Sequence, residues 1–171
     1  MNGVTTFAYG FATVAVYLQV RFEFFAIIDV EWRLGVNVRK FHFDVHGDER
    51  GQLVAVEELH DIPFTVRRVY YIYDTLPGVR RGFHAHKQLE QVLVCVHGSC
   101  KVLLDDGATK ETVLLDKPNE GLYISNAVWR EMYDFSEDAV LLVLASNYYD
   151  ESDYIRDYDI FLRYVKQEEE D

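Results

Sequence analysis

Two histidines one residue apart, His84 and His86, are the side chains whose type and spacing most clearly indicate chemistry. They lie in the stretch RGFHAHKQLEQVLVCVHG, which runs from Arg81 to Gly98. Alternate side chains of a β-strand point to the same face, so both imidazoles would enter one site. An imidazole either binds a metal ion or exchanges a proton near neutral pH. The pair therefore predicts a metal centre or an acid–base site.

A metal centre would require ligands beyond the histidine pair. The metal-binding motif of cupin proteins has a glycine six residues before the first histidine, a glutamate four residues after the second, and a later histidine. Gly78 and Glu90 match the first half of this motif. In GLYISNAVWREM, where the later histidine is expected, Trp129 and Arg130 are found instead. Because arginine is permanently cationic, it would repel a metal ion, and we expect no metal and no other cofactor.

Proton transfer is the second interpretation of the histidine pair. A histidine removes a carbon-bound proton next to a ketone only if hydrogen-bond donors stabilise the enolate oxygen. Arg50, Arg130 and the tyrosines of VYYIY, which spans 69–73, are candidates for these donors. Three tyrosines in four residues cannot all face one pocket, so at least one of them is expected to be structural.

Composition limits the classes of ligand. The chain has 171 residues, a formal net charge of -12 and a pI near 4.8, which argues against a general nucleic-acid binder. A basic group would still suit one small anion; its members are Arg67, Arg68, Arg80, Arg81 and Lys87. The chain has two cysteines, Cys95 and Cys100, which make no disulfide framework and favour a reducing cytoplasm.

The first residues differ in character from the rest of the chain. MNGVTTFAYGFATVAVYLQV is apolar but lacks a basic leader, and Arg21 and Glu23 interrupt the apolar run before it reaches transmembrane length. We therefore expect residues 1–35 to be an extension of unknown role rather than a membrane anchor. A single domain is expected over residues 36–171.

From residue 38 onward the chain reads as short strands separated by turns, and only its end has helical spacing. Strands are predicted at 53–57, 67–73, 92–96, 101–104, 112–115, 121–125 and 140–145. Asp105-Asp106-Gly107 predicts a hairpin turn. Ser152 is the predicted cap of a helix, which Ile155, Tyr158, Leu162 and Val165 would face inward. Many strands without βαβ alternation predict an all-β, double-sheet jelly roll with a short C-terminal helix.

Three stretches resemble a known family. RGFHAHKQLEQVLVCVHGSCKVLLDDG, GLYISNAVWREMYDFSEDAVLLVLAS and YYDESDYIRDYDIF are similar to the bacterial sugar 3,4-ketoisomerases of the cupin superfamily. These enzymes act on dTDP-4-keto-6-deoxyglucose. The resemblance covers about residues 38–165, and the block around RGFHAHK is far more specific than an isolated pair of histidines.

The resemblance implies a metal-independent jelly-roll enzyme, usually a homodimer, that supplies 3-keto sugars for the aminated deoxysugars of surface glycans. It makes His84 the proton shuttle with His86 beside it, and places Tyr70 or Tyr71 next to the hexose. Arg50 and Arg130 would occupy pocket positions that vary among relatives and that bear on the gluco or galacto configuration of the product. Basic residues would hold the diphosphate; Arg81 is the best candidate because a guanidinium matches phosphate oxygens, and Lys87 is another.

Two other functions remain open on the sequence alone. An epimerase of similar nucleotide sugars would use the same base and return the proton differently. A non-catalytic sugar-binding cupin would need neither a base that titrates near neutral pH nor a donor for an enolate oxygen.

Overall fold

The computed structural model describes residues 36 and 38–168. This part of the chain contains twelve β-strands, one 3-10 turn and one α-helix. Eleven strands precede the turn, and the twelfth lies between the turn and the helix. The first six strands are β1 (Val38–His42), β2 (Val45–Asp48), β3 (Gly51–Val54), β4 (Arg68–Ile72), β5 (Arg81–His86) and β6 (Gln91–His97). The others are β7 (Cys100–Asp105), β8 (Lys110–Leu115), β9 (Glu120–Ile124), β10 (Trp129–Tyr133), β11 (Val140–Ala145) and β12 (Tyr154–Ile155).

Ten of these strands form two antiparallel sheets of five. The first sheet has the order β1-β9-β6-β11-β4, and the second has the order β12-β5-β10-β7-β8. The two remaining strands, β2 and β3, pair only with each other. Two facing sheets with no βαβ unit confirm the predicted all-β jelly roll.

Strand β6 lies at the centre of the first sheet and is covered on both faces. Leu93 and Cys95 face the second sheet and belong to the interior cluster between the two sheets. Val92 and Val94 face the other way, into a cluster with Phe41 and other aromatic residues that covers the outside of the sheet. This double burial is the reason that the strand has an uninterrupted apolar sequence, as predicted.

The turn between β7 and β8 forms where the sequence predicts it. Gly107 has a φ of +92°, a conformation that residues other than glycine rarely adopt. Its backbone N–H donates to Asp105 Oδ1 at 2.8 Å. The prediction of a strand at 53–57 was only partly right, since β3 ends at Val54. Strands β1, β2, β10 and β12 were not among the predicted ones.

The C-terminal helix begins later than predicted. A 3-10 turn occupies Glu151–Asp153, β12 follows it, and helix α1 spans Tyr158–Glu168. Asp157 caps the helix, because its carboxylate accepts the Ile160 N–H at 2.9 Å. The prediction that Ser152 is the cap was therefore wrong: the Ser152 side chain donates to Asp150 in the 3-10 turn.

Helix α1 packs on the outer face of the second sheet. Phe161 and Val165 contact Trp129 and Ala85, so one face of the strand that carries the histidines is closed off by the helix. Within residues 36 and 38–168, no helix is long and apolar enough to span a bilayer. The expected N-terminal extension, residues 1–35, lies outside the described residues.

Candidate active site

The histidine strand β5 is kinked just before His84. Gly82 and Phe83 both have positive φ, +97° and 54° respectively. The kink is a β-bulge of β5: Arg130 pairs with His84 and the next residue of β10, Glu131, pairs with Gly82, so Phe83 is the extra residue. A Cβ atom at Gly82 would be 2.6 Å from the Arg130 carbonyl oxygen. Glycine thus allows the two strands to approach closely here, and a bulge of this kind redirects the side chains beside it.

His84 and His86 point to the same face of β5, as predicted. Their ring centroids are 4.9 Å apart and the rings are nearly perpendicular. Tyr154 of β12 packs against both rings, with centroid distances of 5.0 Å to His84 and 4.3 Å to His86. Ala85 points the other way into the contact with α1. The two imidazoles and the Tyr154 ring therefore form one cluster.

A carboxylate holds the second histidine. His86 Nδ1 lies 2.9 Å from Asp153 Oδ2, and the imidazole is 1% exposed. Asp153 belongs to a segment, residues 149–156, that crosses the end of β5 and is here called the C-terminal strap. The pairing of Tyr154 with His86 in the β12–β5 ladder fixes the strap beside the histidines.

Arg130 is the buried cation of the site. It pairs with His84 in the β10–β5 ladder and is 1% exposed. Its guanidinium Nη2 donates to the Ser125 carbonyl at 3.4 Å, and its Nε and Nη1 are buried without a hydrogen-bond partner among the described residues. None of the described carboxylates forms an ion pair with it. A buried charge with unused donors is costly and indicates a place for an anion or an anionic transition state.

Burial and Arg130 together control protonation in this cluster. Burial, and next the positive charge of Arg130, lower the pKa of His84 to about 4. The same two causes, in the same order, lower the pKa of His86 far below its usual range. Burial lowers the pKa of Arg130 to about 10, so the guanidinium stays charged at neutral pH. Both imidazoles are therefore neutral at physiological pH, and each retains one unprotonated ring nitrogen.

A cavity of about 360 Å³ opens beside the histidines. This volume is within the range of about 300–1,000 Å³ that is typical of small-molecule sites. Three arginines line it, namely Arg68 of β4, Arg81 of β5 and Arg156 of the strap. Its other walls come from Tyr70, Ile72, Gly82, His84, Met132, Tyr149 and Tyr154. The cavity is therefore positively charged in a chain whose net charge is -12.

The three arginines differ in their partners. Arg156 makes a two-point contact with Glu151, with 2.7 Å from Nε to Oε1 and 2.9 Å from Nη2 to Oε2. These hydrogen bonds lower the pKa of Glu151 to about 2. Arg68 lies over the rings of Tyr70 and Tyr149, and its Nε is buried without a hydrogen-bond partner. Arg81, like Arg68, forms no ion pair with a described carboxylate. The charges of these two guanidiniums are thus not neutralised within the described chain.

The strand β4 separates the predicted tyrosines. Tyr70 lines the cavity, and its hydroxyl accepts a hydrogen bond from Gln91 Nε2 at 2.8 Å. Burial raises the pKa of Tyr70 above its usual value. Tyr71 lies on the opposite face of β4, is 62% exposed and contacts Tyr73. The structure therefore brings Tyr70 to the histidines and does not bring Tyr71 there.

Two other predicted binding residues lie away from the cavity. Arg50 is in the turn of the β2–β3 hairpin, where its guanidinium pairs with the Asp48 carboxylate. Lys87 is exposed, and its Nζ donates to the Ser152 carbonyl at 2.7 Å while its backbone N–H donates to the Asp153 carbonyl at 3.0 Å. Lys87 therefore braces the C-terminal strap rather than lining the cavity.

The acidic residue of the metal motif does not join the histidines. The Glu90 carboxylate accepts a hydrogen bond from the Tyr123 hydroxyl, and Tyr123 packs in the cluster outside the first sheet. Within the part of the chain that the structure describes, no group of three or more His, Cys, Asp or Glu side chains is arranged to hold a metal ion. His84 and His86 lie beside Arg130 instead.

Sequence reasoning missed four residues of the site: Asp153, Tyr149, Tyr154 and Arg156. All of them lie in YYDESDYIRDYDIF, a stretch that the family resemblance includes but from which no site residue was assigned. Arg68 was counted in the basic group without a specific role. The signal that could have found them is the concentration of aromatic and charged residues in that stretch, which begins before the predicted helix cap at Ser152.

Comparison with known proteins places this geometry in context. Residues 36–166 match the model of the family described as FdtA: WxcM-like, C-terminal. The protein named TDP-4-oxo-6-deoxy-alpha-D-glucose-3,4-oxoisomerase from Aneurinibacillus thermoaerophilus is 61% identical over 118 residues, which are 69% of this chain and 85% of that protein.

Solved structures give the same result. A 3,4-ketoisomerase from Helicobacter canadensis is 52% identical, with a TM-score of 0.75 over 77% of this chain and 98% of that one. A mutant 3,4-ketoisomerase from Thermoanaerobacterium thermosaccharolyticum, in complex with TDP-4-keto-6-deoxyglucose, is 46% identical, with a TM-score of 0.75 over 77% of this chain and 95% of that one. A 4-keto-6-deoxy sugar epimerase from Streptomyces spheroides, at 18% identity and a TM-score of 0.64, shares the fold alone. The resemblance inferred from the three sequence stretches is confirmed.

Proposed function

The chain belongs to the family described as FdtA: WxcM-like, C-terminal, and from this premise we propose that it is a sugar 3,4-ketoisomerase. Its proposed substrate is TDP-4-keto-6-deoxyglucose (dTDP-4-keto-6-deoxyglucose), the sugar that is bound by one relative and that appears, as the 4-oxo sugar, in the name of another. The reaction moves the ketone from C4 to C3 and supplies a 3-keto sugar for the synthesis of an aminated deoxysugar.

One observation carries the proposal. Two neutral imidazoles and a buried arginine with unused N–H groups meet beside a positively charged cavity. A proton carrier next to a preformed site for negative charge is what enolisation of a ketone requires. A protein that only binds a sugar needs no proton carrier beside such a donor.

His84 is the proposed carrier of the carbon-bound proton. It lines the cavity, and its neutral ring has a basic nitrogen at physiological pH. The ring removes the proton from C3, the C3–H electrons form a C3–C4 double bond, and the C4 carbonyl oxygen takes the negative charge. The ring then returns the proton to C4, on the other carbon of the same double bond.

A second proton must move between two oxygens for the atoms to balance. The C3 hydroxyl loses its proton as the C3 ketone forms, and the C4 oxygen gains one. His86 is the proposed carrier because it lies beside His84 on the same face and its Nε2 has no partner in the described chain. With both transfers complete, substrate and product have the same composition, and no oxidant or reductant is consumed.

Arg130 is proposed to stabilise the enediolate oxygen. Its Nε and Nη1 donors are buried and unpartnered, so they are already desolvated before the substrate binds. Donors that need no reorganisation are the most effective at stabilising a developing charge. Tyr70, which is held by Gln91 and lines the cavity, is the second candidate donor.

The cavity arginines are proposed to bind the diphosphate of the substrate. Arg81 fits the sequence prediction, and the structure adds Arg68 and Arg156 as candidates because they line the same cavity. A guanidinium binds phosphate oxygens through parallel N–H groups, and three of them would offset the charge of a nucleoside diphosphate. Lys87 and Tyr71 are left out of this proposal because neither lines the cavity.

A homodimer is proposed as the assembly. The edge strand β4 exposes Val69 and Tyr71 on one face, Tyr73 is exposed just beyond it, and among the described strands β2 and β3 pair only with each other. An isolated two-stranded hairpin is marginally stable in water, and an open sheet edge needs cover, so a second copy of the chain is the proposed partner. A substrate contact for Arg50 rests on this dimer, since in its own subunit the side chain lies on the hairpin. Light scattering at micromolar concentration tests it: a dimer mass is expected, and a monomer mass would contradict it.

The cytoplasm is the proposed location. Cys95 and Cys100 are both free and buried, and two unpaired thiols are typical of a reducing compartment.

The function is tested by incubation with TDP-4-keto-6-deoxyglucose in deuterated water without added cofactor. The expected result is a 3-keto isomer with deuterium at C4, identified by NMR. Accumulation of a C3 or C5 epimer instead would show the epimerase alternative to be right. Recovery of unlabelled substrate that binds to the protein would show that it is a non-catalytic cupin.

A further inference from the structure

We propose that Asp153 is a positioning residue that fixes the tautomer of His86, so that Nδ1 carries the proton and Nε2 presents a lone pair. The tautomer itself is inferred from the geometry of the strap. Its catalytic consequence rests on the proposed function. Neither the histidine motif nor the cavity contains Asp153, which reaches His86 from 67 residues away in the sequence.

Both oxygens of Asp153 are committed to separate donors. Oδ2 lies 2.9 Å from His86 Nδ1, and Oδ1 accepts the backbone N–H of Gln88 at 2.8 Å. An ionised carboxylate can only accept hydrogen bonds, so the nitrogen facing it must be the one that carries the proton. Nε2 of His86 is then an acceptor, and it is buried with no partner in the described chain.

The strap holds Asp153 in place through its main chain as well. The Asp153 carbonyl accepts the Lys87 N–H at 3.0 Å, and Tyr154 pairs with His86 in the β12–β5 ladder. At the start of the 3-10 turn, the Asp150 carboxylate accepts the Ser152 N–H at 2.9 Å. The carboxylate that faces His86 is therefore anchored on both sides, which is the condition for a positioning role.

The fixed tautomer has a direct chemical consequence. With Nδ1 protonated, Nε2 can take the hydroxyl proton of the sugar, and Asp153 then stabilises the positive charge that develops on the ring. With the opposite tautomer, Nε2 would be a donor and could take no proton. The transfer from the C3 oxygen to the C4 oxygen would have no carrier at His86.

An Asp153→Asn substitution tests the tautomer because the asparagine amide can satisfy both of its neighbours in only one orientation. The Gln88 N–H is a backbone donor and cannot change, so the amide oxygen of the asparagine must face it. The amide NH₂ then faces His86 Nδ1, which must accept. The substitution thus preserves shape and forces the proton to Nε2, as the equivalent change does in a serine-protease triad.

The measurement is a long-range ¹H–¹⁵N correlation spectrum of the histidine rings at neutral pH. The chain has six histidines, and a His86→Gln variant assigns the signals of His86. In the wild type, Nδ1 of His86 is expected to have the shift of a protonated ring nitrogen and Nε2 that of an unprotonated one. In Asp153→Asn the two shifts are expected to exchange. Asp150→Asn is the matched control: it changes a carboxylate of the same turn that does not contact His86, and the asparagine oxygen can still accept the Ser152 N–H that anchors the turn, so the tautomer should be unchanged.

The kinetic measurement separates positioning from support of the fold. Asp153→Asn is expected to lower kcat by roughly 10²- to 10⁴-fold, the usual contribution of one proton carrier. KM should change little because Asp153 does not line the cavity. Asp150→Asn should keep wild-type kcat and KM.

The proposal is overturned if wild-type His86 has its proton on Nε2, a result that needs no variant to fold. It is also overturned if folded Asp153→Asn keeps the wild-type tautomer, or if it keeps the wild-type kcat. A wild-type protein that shows the expected tautomer and isomerises no sugar would refute the proposed function and leave the structural assignment of Asp153 standing.

Discussion

Arg130 and His84 lie directly opposite each other in the β10–β5 ladder, and His84 lines the cavity. The arginine is buried, charged and without an ion-pair partner among the described residues. This places a fixed positive charge next to the proposed base. The charge has two effects: it disfavours protonation of the imidazole in the free enzyme, and it favours the enediolate that the imidazole creates.

The first effect predicts that the acid limb of the pH profile, where activity falls with falling pH, lies at an unusually low pH. His84 must be neutral to accept a proton, and burial followed by Arg130 lowers its pKa to about 4. The value of kcat/KM, which reports the free enzyme, should therefore be steady as the pH falls from neutrality and should drop only as the pH passes about 4. A limb near 6.5, the ordinary pKa of histidine, would contradict this interpretation.

Arg130→Met isolates the contribution of the charge. Replacing buried charged groups by apolar side chains of similar volume is often neutral or stabilising, so the variant is expected to fold. Loss of the cation should move the limb to higher pH, and burial, which is the larger cause, should keep it below the ordinary histidine value. Circular dichroism at each pH separates titration of His84 from acid unfolding.

The close approach of β5 and β10 predicts that Gly82 is less replaceable than Gly78. Both glycines have positive φ, +97° and +75°, but a Cβ at Gly82 would meet the Arg130 carbonyl oxygen at 2.6 Å and a Cβ at Gly78 would meet nothing within 4 Å. Gly78→Ala should lower the free energy of unfolding by about 1–2 kcal/mol, the cost of the left-handed conformation. Gly82→Ala should cost about 1–3 kcal/mol more because of the clash.

Denaturant unfolding measures these free energies, and kcat supplies a second comparison. Gly82→Ala should also lower kcat, since the clash moves the Arg130 backbone relative to His84. Gly78→Ala should leave kcat unchanged. Equal losses of stability in the two variants would mean that the strands do not approach as closely as described.

Local sequence patterns were sufficient to predict the parts of the fold that depend on alternation. His84 and His86 share a face because of strand geometry, and β6 could be identified as a central strand because it is apolar on both faces. The phase of β4 was not predictable in the same way. In VYYIY, alternate residues share a face, but large side chains occur on both faces and the sequence does not tell which face is inward. The pairing of β4 with β11 decides that Tyr70 faces the cavity.

The rest of the site depends on contacts between distant parts of the chain. The pairing of His86 with Asp153 spans 67 residues, and the bulge at Phe83 arises only when β5 and β10 are paired. The strap was mistaken for a helix because Ile155, Tyr158, Leu162 and Val165 have helical spacing. The competing signal was Asp157, a better cap than Ser152 for the helix that forms.

Arg81 and Lys87 are predicted to differ in their effect on nucleotide binding. Arg81→Met should weaken the binding of TDP by about 10- to 100-fold, since a hydrogen bond to a charged group contributes roughly 1.5–3 kcal/mol. Lys87→Met should leave the affinity nearly unchanged, because Lys87 Nζ binds the Ser152 carbonyl and the backbone contact of the strap remains.

Isothermal titration with TDP checks this difference. Arg163→Met, on the exposed side of α1, is the control for removal of one positive charge far from the cavity. A stronger effect at Lys87 than at Arg81 would mean that the diphosphate lies over the strap and not in the cavity.

Residues 1–35 are predicted to be dispensable for folding and activity. The family match begins at residue 36, and every proposed site residue follows it. Val36 is 1% exposed and packs in the interior cluster, so a deletion that extends to residue 37 should destabilise the fold. Loss of this one buried valine should lower the free energy of unfolding by about 1.5–3 kcal/mol. Denaturant unfolding and kcat of the two fragments check the prediction. An insoluble or inactive 36–171 fragment would make the first segment part of the core or of an interface.

The histidine pair is predicted to act without a metal ion, with His84 as the indispensable base. His84→Asn preserves size and some hydrogen bonding and removes the nitrogen that titrates. The rate should therefore fall by about 10²- to 10⁴-fold while substrate binding survives. His86→Asn should also impair turnover.

If the pair instead held a metal ion, both substitutions would reduce bound metal, chelation would abolish activity and added divalent ions would restore it. Full activity after exhaustive chelation, in protein that elemental analysis shows to be free of metal, is the expected result. Activity that follows bound metal one-to-one would refute the proton-shuttle mechanism.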